Sequence, residues 1–585
     1  MPRSQIAKHP ADFPVPPKMP DYERARADFT WEAVRRELTD EGCADLNMAR
    51  IAVDRHADAN AERPALRVTD RHFRVEDLSY GELRARTNGF ADLLCRLGVQ
   101  PGEVVATLLG RIPALYTAAL GTLKNQGLYC PLFTAFGPEP LRQRLQLAGA
   151  RVLVTTLPLY RRKIASLRKD LPHLKHVLLA DADAGHDALP DCLPLEGLLA
   201  ESDREFAIPP TAEETPALLH FTSGTTGQPK GAVQSHGAIL AQYASSRLVL
   251  DLGTEDRFWC TADPGWVTGT VYGILGPLST GSTLILDPEP FEVRRWYRIL
   301  EAERVSVWYT APTAIRMLMR AGSALAREYD LSALRLAASV GEPLNPEAVV
   351  WGEEALGRPF HDTWWQTETG AVMIANYPSQ DIRPGSMGRP LPGVEAAIVH
   401  RRGAHAAAVP EPDTEGELAL RSPWPSMFRA YLGETRRYAA CFADGWYLTG
   451  DLARRDADGY FWFVGRGDDL IKTSGHLIGP FEVENVLMEH RGVAEAGVVG
   501  KPDPIAGQVV KAFVALRKGF DGDEGLRREL LGHARRRLGA AVAPKELEFR
   551  QSLPKTRSGK IMRRLLRAEE KGEPMGDLSS LDDSG

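Results

Sequence analysis

The sequence predicts an α/β protein with a large N-terminal domain of layered α/β sheets, a β-rich subdomain and a small C-terminal α+β domain. Three observations predict this arrangement. The chain has 585 residues, whereas a single core rarely grows beyond about 250–300 residues, so at least two domains are expected. Apolar runs alternate with helical patterns as far as Pro392, which is typical of largely parallel sheets covered by helices. After residue 394 the pattern changes to short strands and turns, and then to a block of about 115 residues, which is large enough to fold alone.

The first region, from Trp31 to about Pro392, supplies the predicted parallel sheets. Residues 1 to about 30 are rich in proline and charge, and we expect them to wrap a surface. The apolar runs predicted as strands are VVATLL, ARVLVTT, HVLLA, STLILD and VSVWYTAP. The segments predicted as helices are PEPLRQRLQLAGA and PTAIRMLMRAGSAL.

Residues 394–464 are predicted to form the β-rich subdomain. Gly, Pro and Asp turns join the short runs VEAAIVH, GELALRS, GWYLTGDLARRD and GYFWFVG. The next block contains a helix, two strands and a second helix: EVENVLMEH, VAEAGVVG, VVKAFVALR and DEGLRRELLGHARRRLG. This βαβ-like pattern predicts an N-terminal domain over residues 1–466 and a C-terminal domain over 467–571, with the boundary at Arg466–Asp469. The polar tail, residues 572–585, is predicted to be disordered.

Composition and charge argue against several functional classes. Hydrophobic residues make up 43% and charged residues 25% of the chain, which are ordinary values for a globular protein. The net charge of −6 predicts no nucleic-acid partner and no membrane partner. The six cysteines are scattered without a CxxC pair, which fits a reducing compartment. The N-terminus has no apolar run after its basic residues, so we expect a cytoplasmic protein without a secretory signal.

The most informative segment is TSGTTGQPKG at residues 222–231, which follows the predicted strand PALLHF. Its three glycines let the backbone bend tightly and bring N–H groups close to an anion. Its four hydroxyl groups and Lys230 add hydrogen-bond donors and a positive charge. The segment is not a Walker loop, which would need GxxxxGK[ST]. The residues alone are therefore compatible with two interpretations, a phosphate-binding loop and an ordinary surface loop.

TSGTTGQPKG resembles the phosphate loop of the adenylate-forming superfamily, which contains acyl-CoA synthetases, peptide-synthetase adenylation domains and luciferases. Separate matches continue in the same order from about residue 45 to residue 570. The resemblance implies an N-terminal adenylation domain and a C-terminal domain that rotates about a hinge. It also implies catalytic roles for Thr222 and Lys230, and ATP binding by Thr222, Ser223, Gly224, Thr225, Thr226, Gly227 and Lys230.

Two further matches extend the implied nucleotide site. The turn SVGEP implies that adenine packs against Gly341, Glu342 and Pro343. The segment DTWWQTETG implies nucleotide contacts, with Thr367 near the α-phosphate, by Asp362, Thr363, Trp364, Trp365, Gln366 and Thr367. Glu368 in the same segment is the implied Mg²⁺ ligand, since Mg²⁺ prefers a few hard oxygens together with substrate phosphates.

The last three matches surround the junction of the two predicted domains. YLTGD implies that Asp451 accepts hydrogen bonds from both ribose hydroxyls. GRGDD implies that Arg466 contacts ribose or phosphate and that Asp468 is the hinge. PKTRSGK implies that Lys560 is the catalytic lysine of the small domain. Two anions must meet in adenylation, and a cation placed between them cancels their repulsion as charge shifts in the transition state.

Within the superfamily, DTWWQTETG, PGWVTG and SVGEP resemble the acetyl-CoA synthetase family in its shorter bacterial form. In that family the second tryptophan, here Trp365, closes the acyl pocket, and the other matching walls are Val267, Thr268 and Val340. A wall is needed because each added methylene gains about 0.8 kcal/mol on burial. Discrimination over one carbon is only about 10–200-fold, so propionate is an expected slower substrate.

The resemblance also places a second substrate, CoA, near basic residues that suit its phosphates. The implied CoA contacts are Arg144, Thr268, Ser474, Gly475 and Arg535, and an implied backbone metal site consists of Met488, His490 and Val493. The chain departs from the family in one place. After Ser474-Gly475 the family has an aromatic residue or histidine and then an arginine, whereas this chain has His476 and Leu477. A leucine cannot contact a phosphate, so that role would depend on Arg466 and Lys560.

Together the matches imply an AMP-forming acid–thiol ligase that joins acetate to CoA through acetyl-AMP, with ATP and CoA as substrates and Mg²⁺ as cofactor. Acetylation of a lysine regulates the family, so Lys560 is an expected target of a protein acetyltransferase and a deacetylase. Two alternatives stay open. One is a ligase for propionate or another short-chain acid. The other is a nucleotide-binding regulator that has lost turnover, which Leu477 favours and Lys560 opposes.

Overall fold

The computed structural model describes residues 5–9, 13, 15–39, 45–181, 189, 192–222, 229–467, 469, 471–473, 476–503, 507–556, 560–575, 578 and 581. Within these residues the α-helices are α1 (Tyr22–Asp28), α2 (Trp31–Leu38), α3 (Arg55–Ala59), α4 (Tyr80–Arg96), α5 (Pro113–Lys124), α6 (Pro138–Ala148), α7 (Leu157–Leu159), α8 (Leu195–Ala200), α9 (Ile239–Leu248), α10 (Val267–Thr270), α11 (Gly276–Ser279), α12 (Val293–Ala302), α13 (Pro312–Ala321), α14 (Ser323–Ala326), α15 (Pro346–Leu356), α16 (Thr435–Ala439), α17 (Pro480–Met488), α18 (Glu524–Val542) and α19 (Arg563–Lys571). None of these helices combines the length and apolar character that crossing a membrane requires.

The strands of the large N-terminal region are β1 (Pro64–Thr69), β2 (Val75–Ser79), β3 (Val104–Leu108), β4 (Leu128–Pro131), β5 (Val152–Thr155), β6 (His176–Leu179), β7 (Leu193–Pro194), β8 (Pro216–Thr222), β9 (Lys230–Ser235), β10 (Arg257–Cys260), β11 (Thr283–Leu286), β12 (Val307–Thr310), β13 (Leu336–Ser339), β14 (Phe360–Trp364), β15 (Ile374–Ala375) and β16 (Arg389–Pro390). The later strands are β17 (Ala396–Arg402), β18 (His405–Ala408), β19 (Glu415–Arg421), β20 (Ala430–Tyr431), β21 (Phe442–Ala443), β22 (Trp446–Arg455), β23 (Phe461–Arg466), β24 (Ile471–Thr473), β25 (His476–Ile478), β26 (Val493–Asp503), β27 (Gly507–Leu516) and β28 (Glu546–Arg550).

The first large sheet has the strand order β20-β9-β8-β4-β3-β5-β6-β7 in the described part of the chain. Neighbouring strands from β8 to β7 are parallel, whereas β8, β9 and β20 are joined by antiparallel pairs. The predicted strands VVATLL, ARVLVTT and HVLLA are confirmed as the adjacent strands β3, β5 and β6. Parallel neighbours need crossover connections, which explains why helices separate them in the sequence.

The second large sheet has the order β16-β15-β14-β13-β12-β10-β11-β1-β2 among the described residues. It is parallel from β14 to β1 and antiparallel at both edges. STLILD and VSVWYTAP are confirmed as β11 and β12. The helix predicted over PTAIRMLMRAGSAL is confirmed as α13 and α14, with a break between them at Gly322, which has a φ of 92°. That left-handed conformation suits glycine and cannot continue a right-handed helix.

The largest apolar cluster lies between the two large sheets. It includes Leu218 and Ala232 of the first sheet and Val307 and Leu336 of the second. Leu219, the next residue of β8, belongs to a different cluster on the opposite face of the first sheet. This two-residue alternation of strands decides which side chains reach the space between the sheets.

The N-terminal segment lies against the large region, as expected. Ile6 is buried and pairs with Ile382 through backbone hydrogen bonds. Tyr22 in α1 is also buried, and its hydroxyl donates a 2.8 Å hydrogen bond to the carbonyl of Pro390. The segment therefore adds to the surface of the second large sheet near β16.

Within residues 396–466 the strands other than β20, which belongs to the first large sheet, form a separate antiparallel sheet with the order β18-β17-β19-β22-β21, in which β23 also pairs with β22. This sheet confirms the predicted β-rich subdomain. Its register has one consequence for the site, because Asp451 of β22 lies directly opposite Arg466 of β23. Cross-strand neighbours on one face of a sheet are close enough for their side chains to interact.

The C-terminal region has a sheet of its own, with the order β25-β24-β27-β26 and with β28 beside β27. β26 and β27 form a long antiparallel pair, whereas β27 and β28 are parallel and α18 connects them. The predicted helix, two strands and second helix are confirmed as α17, β26, β27 and α18, and the structure adds β28, which the sequence did not predict. A separate apolar cluster, which includes Val483, Val498 and Leu530, fills the core of this region. The domain boundary at Arg466–Asp469 stays a prediction, and Asp468 lies outside the described residues.

Candidate active site

The strand pair of β8 and β9 frames the phosphate loop. The two strands are antiparallel, and Thr222 lies directly opposite Lys230 where they meet the loop. Alternation along the strands puts both residues on the face of Leu218 and Ala232, which packs between the two large sheets. The phosphate contacts of the loop stay a prediction, since the residues that lie outside the described part of the chain are Ser223, Gly224, Thr225, Thr226 and Gly227.

A tyrosine that belongs to none of the sequence motifs connects Lys230 to Glu368. The Lys230 ammonium lies 5.7 Å from the centre of the Tyr431 ring, and the Tyr431 hydroxyl donates a 2.7 Å hydrogen bond to Oε1 of Glu368. Burial raises the pKa of Tyr431, and the nearby Glu368 carboxylate raises it further, so the phenol stays neutral and donates. In the sequence Tyr431 is one tyrosine of SMFRAYLG, and no pattern there pairs it with Glu368.

Backbone hydrogen bonds anchor the segment that carries Thr367 and Glu368. Nε2 of Gln234, on β9, donates to the Thr367 carbonyl at 2.6 Å, and the Phe428 amide donates to the Glu368 carbonyl at 2.9 Å. Gly370 has a φ of 72°, and a Cβ there would lie 2.2 Å from the Ser426 carbonyl oxygen. Because a side chain would collide with this backbone, Gly370 is required for the close approach.

Asp362 and Thr363 are buried behind the predicted adenine turn. Asp362 is 4% exposed, and its carboxylate accepts hydrogen bonds from the Ser339 hydroxyl and the Leu344 amide. Burial raises the pKa of Asp362 to about 7, although these hydrogen bonds oppose the rise. Thr363 donates to the Ser339 carbonyl at 2.7 Å. Both side chains therefore fix the turn from inside the protein, and their direct contact with a nucleotide stays a prediction.

The predicted adenine turn itself has the backbone that its sequence requires. Gly341 has a φ of 96°, a conformation that residues with a side chain rarely adopt. The side chain of Glu342 accepts a 2.9 Å hydrogen bond from Nη2 of Arg316 on α13. Pro343 and Glu342 line a cleft together with Lys560, Lys555 and Arg563 of the C-terminal region. The turn therefore lies where the two regions of the chain meet.

Asp451 is the most densely hydrogen-bonded acid of the candidate ribose site. Its Oδ2 accepts from Nε1 of Trp364 and Nε2 of Gln366, both at 3.0 Å, and its Oδ1 accepts from Nη1 of Arg466 at 3.1 Å. Burial raises the pKa of Asp451, whereas the positive charges of Arg466 and Lys560 lower it. Three residues from two separate motifs therefore converge on one carboxylate, and Lys560 lies within electrostatic reach of it.

Lys560 is exposed in the C-terminal region. Its backbone N–H donates to Oγ1 of Thr556 at 3.1 Å, and its carbonyl accepts from the Thr556 amide at 2.7 Å. Lys555 and Ile561 form an antiparallel bridge. These bonds fix the backbone on either side of Lys560 and leave its side chain in the cleft with Glu342 and Pro343.

The predicted acyl pocket contains one well-supported wall. The indole of Trp365 meets the Tyr272 ring edge to face, with ring centres 5.2 Å apart and an interplanar angle of 84°. Val340 is buried in the large central cluster, and Trp365 and Val267 pack against the same cluster. Thr268 follows Val267 in α10 and is half-buried. Val340, Trp365 and Val267 thus share the large central cluster, and the acyl pocket that they are expected to line stays a prediction.

The predicted CoA contacts are in different surroundings. Arg144 is 5% exposed, and its guanidinium lies 4.2 Å from the centre of the Phe136 ring while Nη1 donates to the Pro140 carbonyl at 3.0 Å. Arg535 is exposed on α18. Ser474 and Gly475 lie outside the described residues. Arg144 is thus packed inside the structure, and all four contacts stay predictions.

The predicted backbone metal site lies at the junction of α17 and β26. Met488 ends the helix, and Val493 begins the strand. The carbonyl of His490 accepts a 2.9 Å hydrogen bond from the Val493 amide. Nε2 of the His490 ring lies 3.1 Å from Oε1 of Glu529. No group of three or more His, Cys, Asp and Glu side chains that could hold a metal ion occurs among the described residues. A site built from backbone oxygens stays a prediction.

Comparison with known families defines the class of protein that this fold and site represent. The family of AMP-binding enzymes matches residues 53–432, and the AMP-binding enzyme C-terminal domain matches residues 482–560. Both matched ranges contain the groups described above, Lys230 and Glu368 in the first and Lys560 in the second. The class is therefore that of AMP-forming ligases with a separate C-terminal domain.

Individual relatives are similar over nearly the whole chain. An acetyl-coenzyme A synthetase of Bacillus subtilis (strain 168) is 44% identical over 566 residues, which cover 96% of this chain and 97% of that protein. An acetyl-coenzyme A synthetase of Chlorobaculum tepidum is 38% identical and covers 87% of this chain and 80% of that protein. A crystal structure of Brucella canis acyl-CoA synthetase has a TM-score of 0.74 at 34% identity, covering 95% and 99% of the two chains. The chain belongs to the acetyl-coenzyme A synthetase family of AMP-binding enzymes.

A second solved structure supports the fold. An anthranilate CoA ligase in complex with anthranoyl-AMP has a TM-score of 0.81 at 28% identity, covering 90% of this chain and 98% of that chain. The likeness extends over both the large region and the small C-terminal region. The fold class predicted from the sequence is therefore confirmed.

Proposed function

We propose that the protein is an acetate–CoA ligase, which converts ATP, acetate and CoA to acetyl-CoA, AMP and diphosphate through enzyme-bound acetyl-AMP. The observation that carries this proposal is the position of Lys560. It lies on the small C-terminal region, yet its charge lowers the pKa of Asp451, the candidate ribose acid of the large region. A lysine in this place can reach the reacting groups of a nucleotide held by Asp451.

In the first step a carboxylate oxygen of acetate attacks the α-phosphorus of ATP. The bond between the α-phosphorus and the bridging oxygen breaks, and diphosphate leaves. Lys560 lies between the two anions and neutralises their repulsion in the transition state. Lys230 binds the phosphates from β9, and Asp451 with Arg466 holds the ribose. These residues use position and charge, and no covalent enzyme intermediate is required.

Glu368 fits the role of a Mg²⁺ ligand. One of its oxygens accepts a hydrogen bond from the Tyr431 hydroxyl. This bond fixes the orientation of the carboxylate, which still has acceptor positions for a metal ion. Mg²⁺ is usually held by one or two carboxylates together with substrate phosphates and water, which agrees with a single acid here. When bound, the ion would neutralise phosphate charge. Glu368 would hold it, and the hydrogen bonds from the Gln234 side chain and the Phe428 amide to the backbone of its segment would keep the carboxylate in place.

In the second step the thiol sulfur of CoA attacks the acetyl carbonyl, loses its proton, and AMP leaves with the bonding electrons of the anhydride oxygen. We propose that the small domain rotates about Asp468 between the steps, which removes Lys560 and brings Ser474 and Gly475 to the site. Thr268, Arg144 and Arg535 are the remaining proposed CoA contacts. The exposed position of Arg535 on α18 supports its contact with a phosphate.

The support for acetate comes from the wall around Trp365. Its indole is held on one side by Tyr272, whose hydroxyl in turn accepts a 2.7 Å hydrogen bond from the Val372 amide. A wall fixed in this way resists displacement by a longer acid. The relatives that share this chain's full length are named acetyl-coenzyme A synthetases, which supports the same substrate.

Lys560 is also the proposed point of regulation. Its side chain is exposed, so a protein acetyltransferase and a deacetylase could reach it. Acetylation removes the charge and would stop the first step. We place the protein in the cytoplasm on the basis of its scattered cysteines.

The test is a panel of acids with one to six carbons, assayed for AMP, diphosphate and acyl-CoA. We expect the highest kcat/KM with acetate and a lower value with propionate. Formation of ADP and phosphate would contradict the reaction class. A preference for propionate would keep the class and change the substrate.

A further inference from the structure

Tyr431 contacts two charged groups of opposite sign that the motifs assign to the same phosphates. Its hydroxyl donates to Glu368, and its ring lies beneath the ammonium of Lys230. We propose that Tyr431 is a positioning residue for the first step, which orients Glu368 toward Mg²⁺-ATP with its hydroxyl and holds Lys230 on the phosphates with its ring. This inference rests on the proposed function, because it assigns a role within the adenylation step.

The hydrogen bond decides the orientation of the Glu368 carboxylate. A carboxylate has two oxygens and about four acceptor positions, and the phenol occupies a position on Oε1 at 2.7 Å. The bond is charge-assisted, and such bonds are shorter and stronger than those between neutral groups. With Oε1 fixed, the other oxygen has a defined direction, which is what a ligand to Mg²⁺ needs, since this ion demands near-ideal geometry.

The ring of Tyr431 acts on Lys230. An ammonium within about 6 Å of an aromatic centre is attracted by the negative face of the ring, and the observed distance is 5.7 Å. Hydrogen bonds polarise their neighbours, so donation to the carboxylate makes the ring more electron-rich and strengthens its attraction for the lysine. The two contacts therefore reinforce each other.

Tyr431 also keeps the two charges available. A lysine and a carboxylate that share a site attract each other strongly, and a direct ion pair would compete with the substrate. The tyrosine gives each group its own partner at opposite ends of one side chain. Its backbone pairs with Ala232 of β9, and its ring packs against Phe428 with centres 4.9 Å apart, so the position of the side chain is fixed from two directions.

The same aromatic cluster offers a matched control. Tyr438 also packs against Phe428, with ring centres 4.9 Å apart, and its hydroxyl lies 3.4 Å from the Phe428 carbonyl. Tyr438→Phe removes a phenol hydroxyl from the cluster without touching either contact of Tyr431. Tyr431→Phe removes the bond to Glu368 and keeps the ring under Lys230, whereas Tyr431→Leu removes both.

The experiment measures ATP binding by titration calorimetry to the full-length protein at a series of Mg²⁺ concentrations and in EDTA, without acid or CoA. For Tyr431→Phe we expect the Mg²⁺ concentration for half-maximal enhancement of ATP binding to rise about tenfold, the scale of one hydrogen bond to a charged group. Binding in EDTA should stay within about twofold of wild type, because the ring remains under Lys230. Tyr431→Leu should in addition weaken binding in EDTA by about two- to fivefold through Lys230. Tyr438→Phe should behave as wild type, and thermal unfolding checks that each variant is folded.

Two results would overturn the inference. One is a folded Tyr431→Phe protein with the Mg²⁺ dependence of wild type. The other is an equal shift in Tyr438→Phe, which would assign the effect to the packing of the cluster. Failure of the proposed reaction has a different signature, namely normal Mg²⁺-ATP binding in wild type without acetate-dependent diphosphate formation.

Discussion

The charged groups of the large region and Lys560 of the small region are held in different ways. We use "nucleotide cradle" for Lys230, Glu368, Gln366, Asp451 and Arg466. Its members lie on paired strands or on a loop tied to them, and Asp451 alone accepts three side-chain hydrogen bonds. Lys560 has backbone bonds to Thr556 and an exposed side chain. The side chains of the cradle are held by several hydrogen bonds, whereas the side chain of Lys560 is exposed.

This difference has a direct meaning for a two-step ligase. The nucleotide must stay in place through both steps, because it is the substrate of the first and the leaving group of the second. The positive charge between acetate and the α-phosphate is needed in the first step alone. A fixed cradle and a lysine on a separate region satisfy both requirements, because one part can move without disturbing the other.

The largest expected effect is that of removing the Lys560 side chain. Lys560→Ala should lower acetate-dependent formation of acetyl-AMP by roughly a hundredfold to a thousandfold, the scale for removing one group that stabilises transition-state charge. Conversion of supplied acetyl-AMP and CoA should be nearly unchanged. Rapid-quench assays of the two half-reactions give both numbers. Equal losses in both would mean that Lys560 belongs to the cradle after all.

The next effect tests the cradle at Asp451. Asp451→Ala removes the candidate ribose acceptor and leaves Trp364, Gln366 and Arg466 without their shared partner. Hydrogen bonds to charged groups contribute about 1.5–3 kcal/mol each, so we expect ATP affinity to fall about a hundredfold, and both half-reactions to slow.

Asp456 provides the control for this variant. It too accepts hydrogen bonds from a tryptophan, Trp462, and an arginine, Arg383, but it belongs to none of the site motifs. Asp456→Ala should therefore reduce thermal stability and leave ATP affinity within about twofold of wild type. A comparable loss of affinity in both variants would show that Asp451 acts through stability alone.

Much of the site could be predicted from the sequence, because the motifs are local. TSGTTGQPKG, DTWWQTETG and GRGDD each place several groups within a few residues, and their order along the chain reveals a single site. The strand PALLHF before the loop is confirmed as β8, and the β-rich subdomain is confirmed as a separate sheet.

The remaining features depend on contacts between distant residues, which local patterns do not show. Tyr431 meets Glu368 across 63 positions of sequence, because β20 returns to pair with β9. Asp362 has the residue type of a ligand-binding acid, yet the fold buries it behind the adenine turn. Arg144 has the charge for a phosphate contact, but its helix turns it onto Phe136. In each case tertiary packing decides the role.

A smaller effect is expected in the predicted acyl pocket, where Trp365 limits the length of the acid. Trp365→Gly should open space beside Tyr272 and move the preference toward acids of five or six carbons. Burying three extra methylenes contributes up to about 2.4 kcal/mol, which is about fiftyfold in the ratio of kcat/KM values for hexanoate and acetate. The acid panel measures this ratio. An unchanged profile in a folded, active variant would place the wall elsewhere, and ATP affinity should stay that of wild type.

The smallest expected effect is the contribution of Asp362, the buried acid behind the adenine turn, to the pH dependence of the free energy of unfolding. In the folded protein the pKa of Asp362 is about 7, whereas an unfolded aspartate has a pKa near 3.9. Between these values the folded state keeps the proton and the unfolded state has lost it. The unfolded state therefore binds fewer protons, and the free energy of unfolding falls as pH rises, by at most about 1.4 kcal/mol per pH unit from this group.

Asp362→Asn removes this titration and keeps one acceptor oxygen for the Ser339 hydroxyl, whereas the oxygen that accepts from the Leu344 amide is replaced by NH2, a loss that is the same at every pH. Urea unfolding of both proteins at several pH values should show wild type losing stability relative to the variant as pH rises from about 4 to 7, with no further change above. Asp263, whose pKa burial raises to about 6, titrates in both proteins and cancels in the difference. If the difference is the same at every pH, Asp362 is ionised in the folded protein. The adenine turn would then be held by a charged acceptor, and the cradle would depend on charge at its buried side as it does at Asp451.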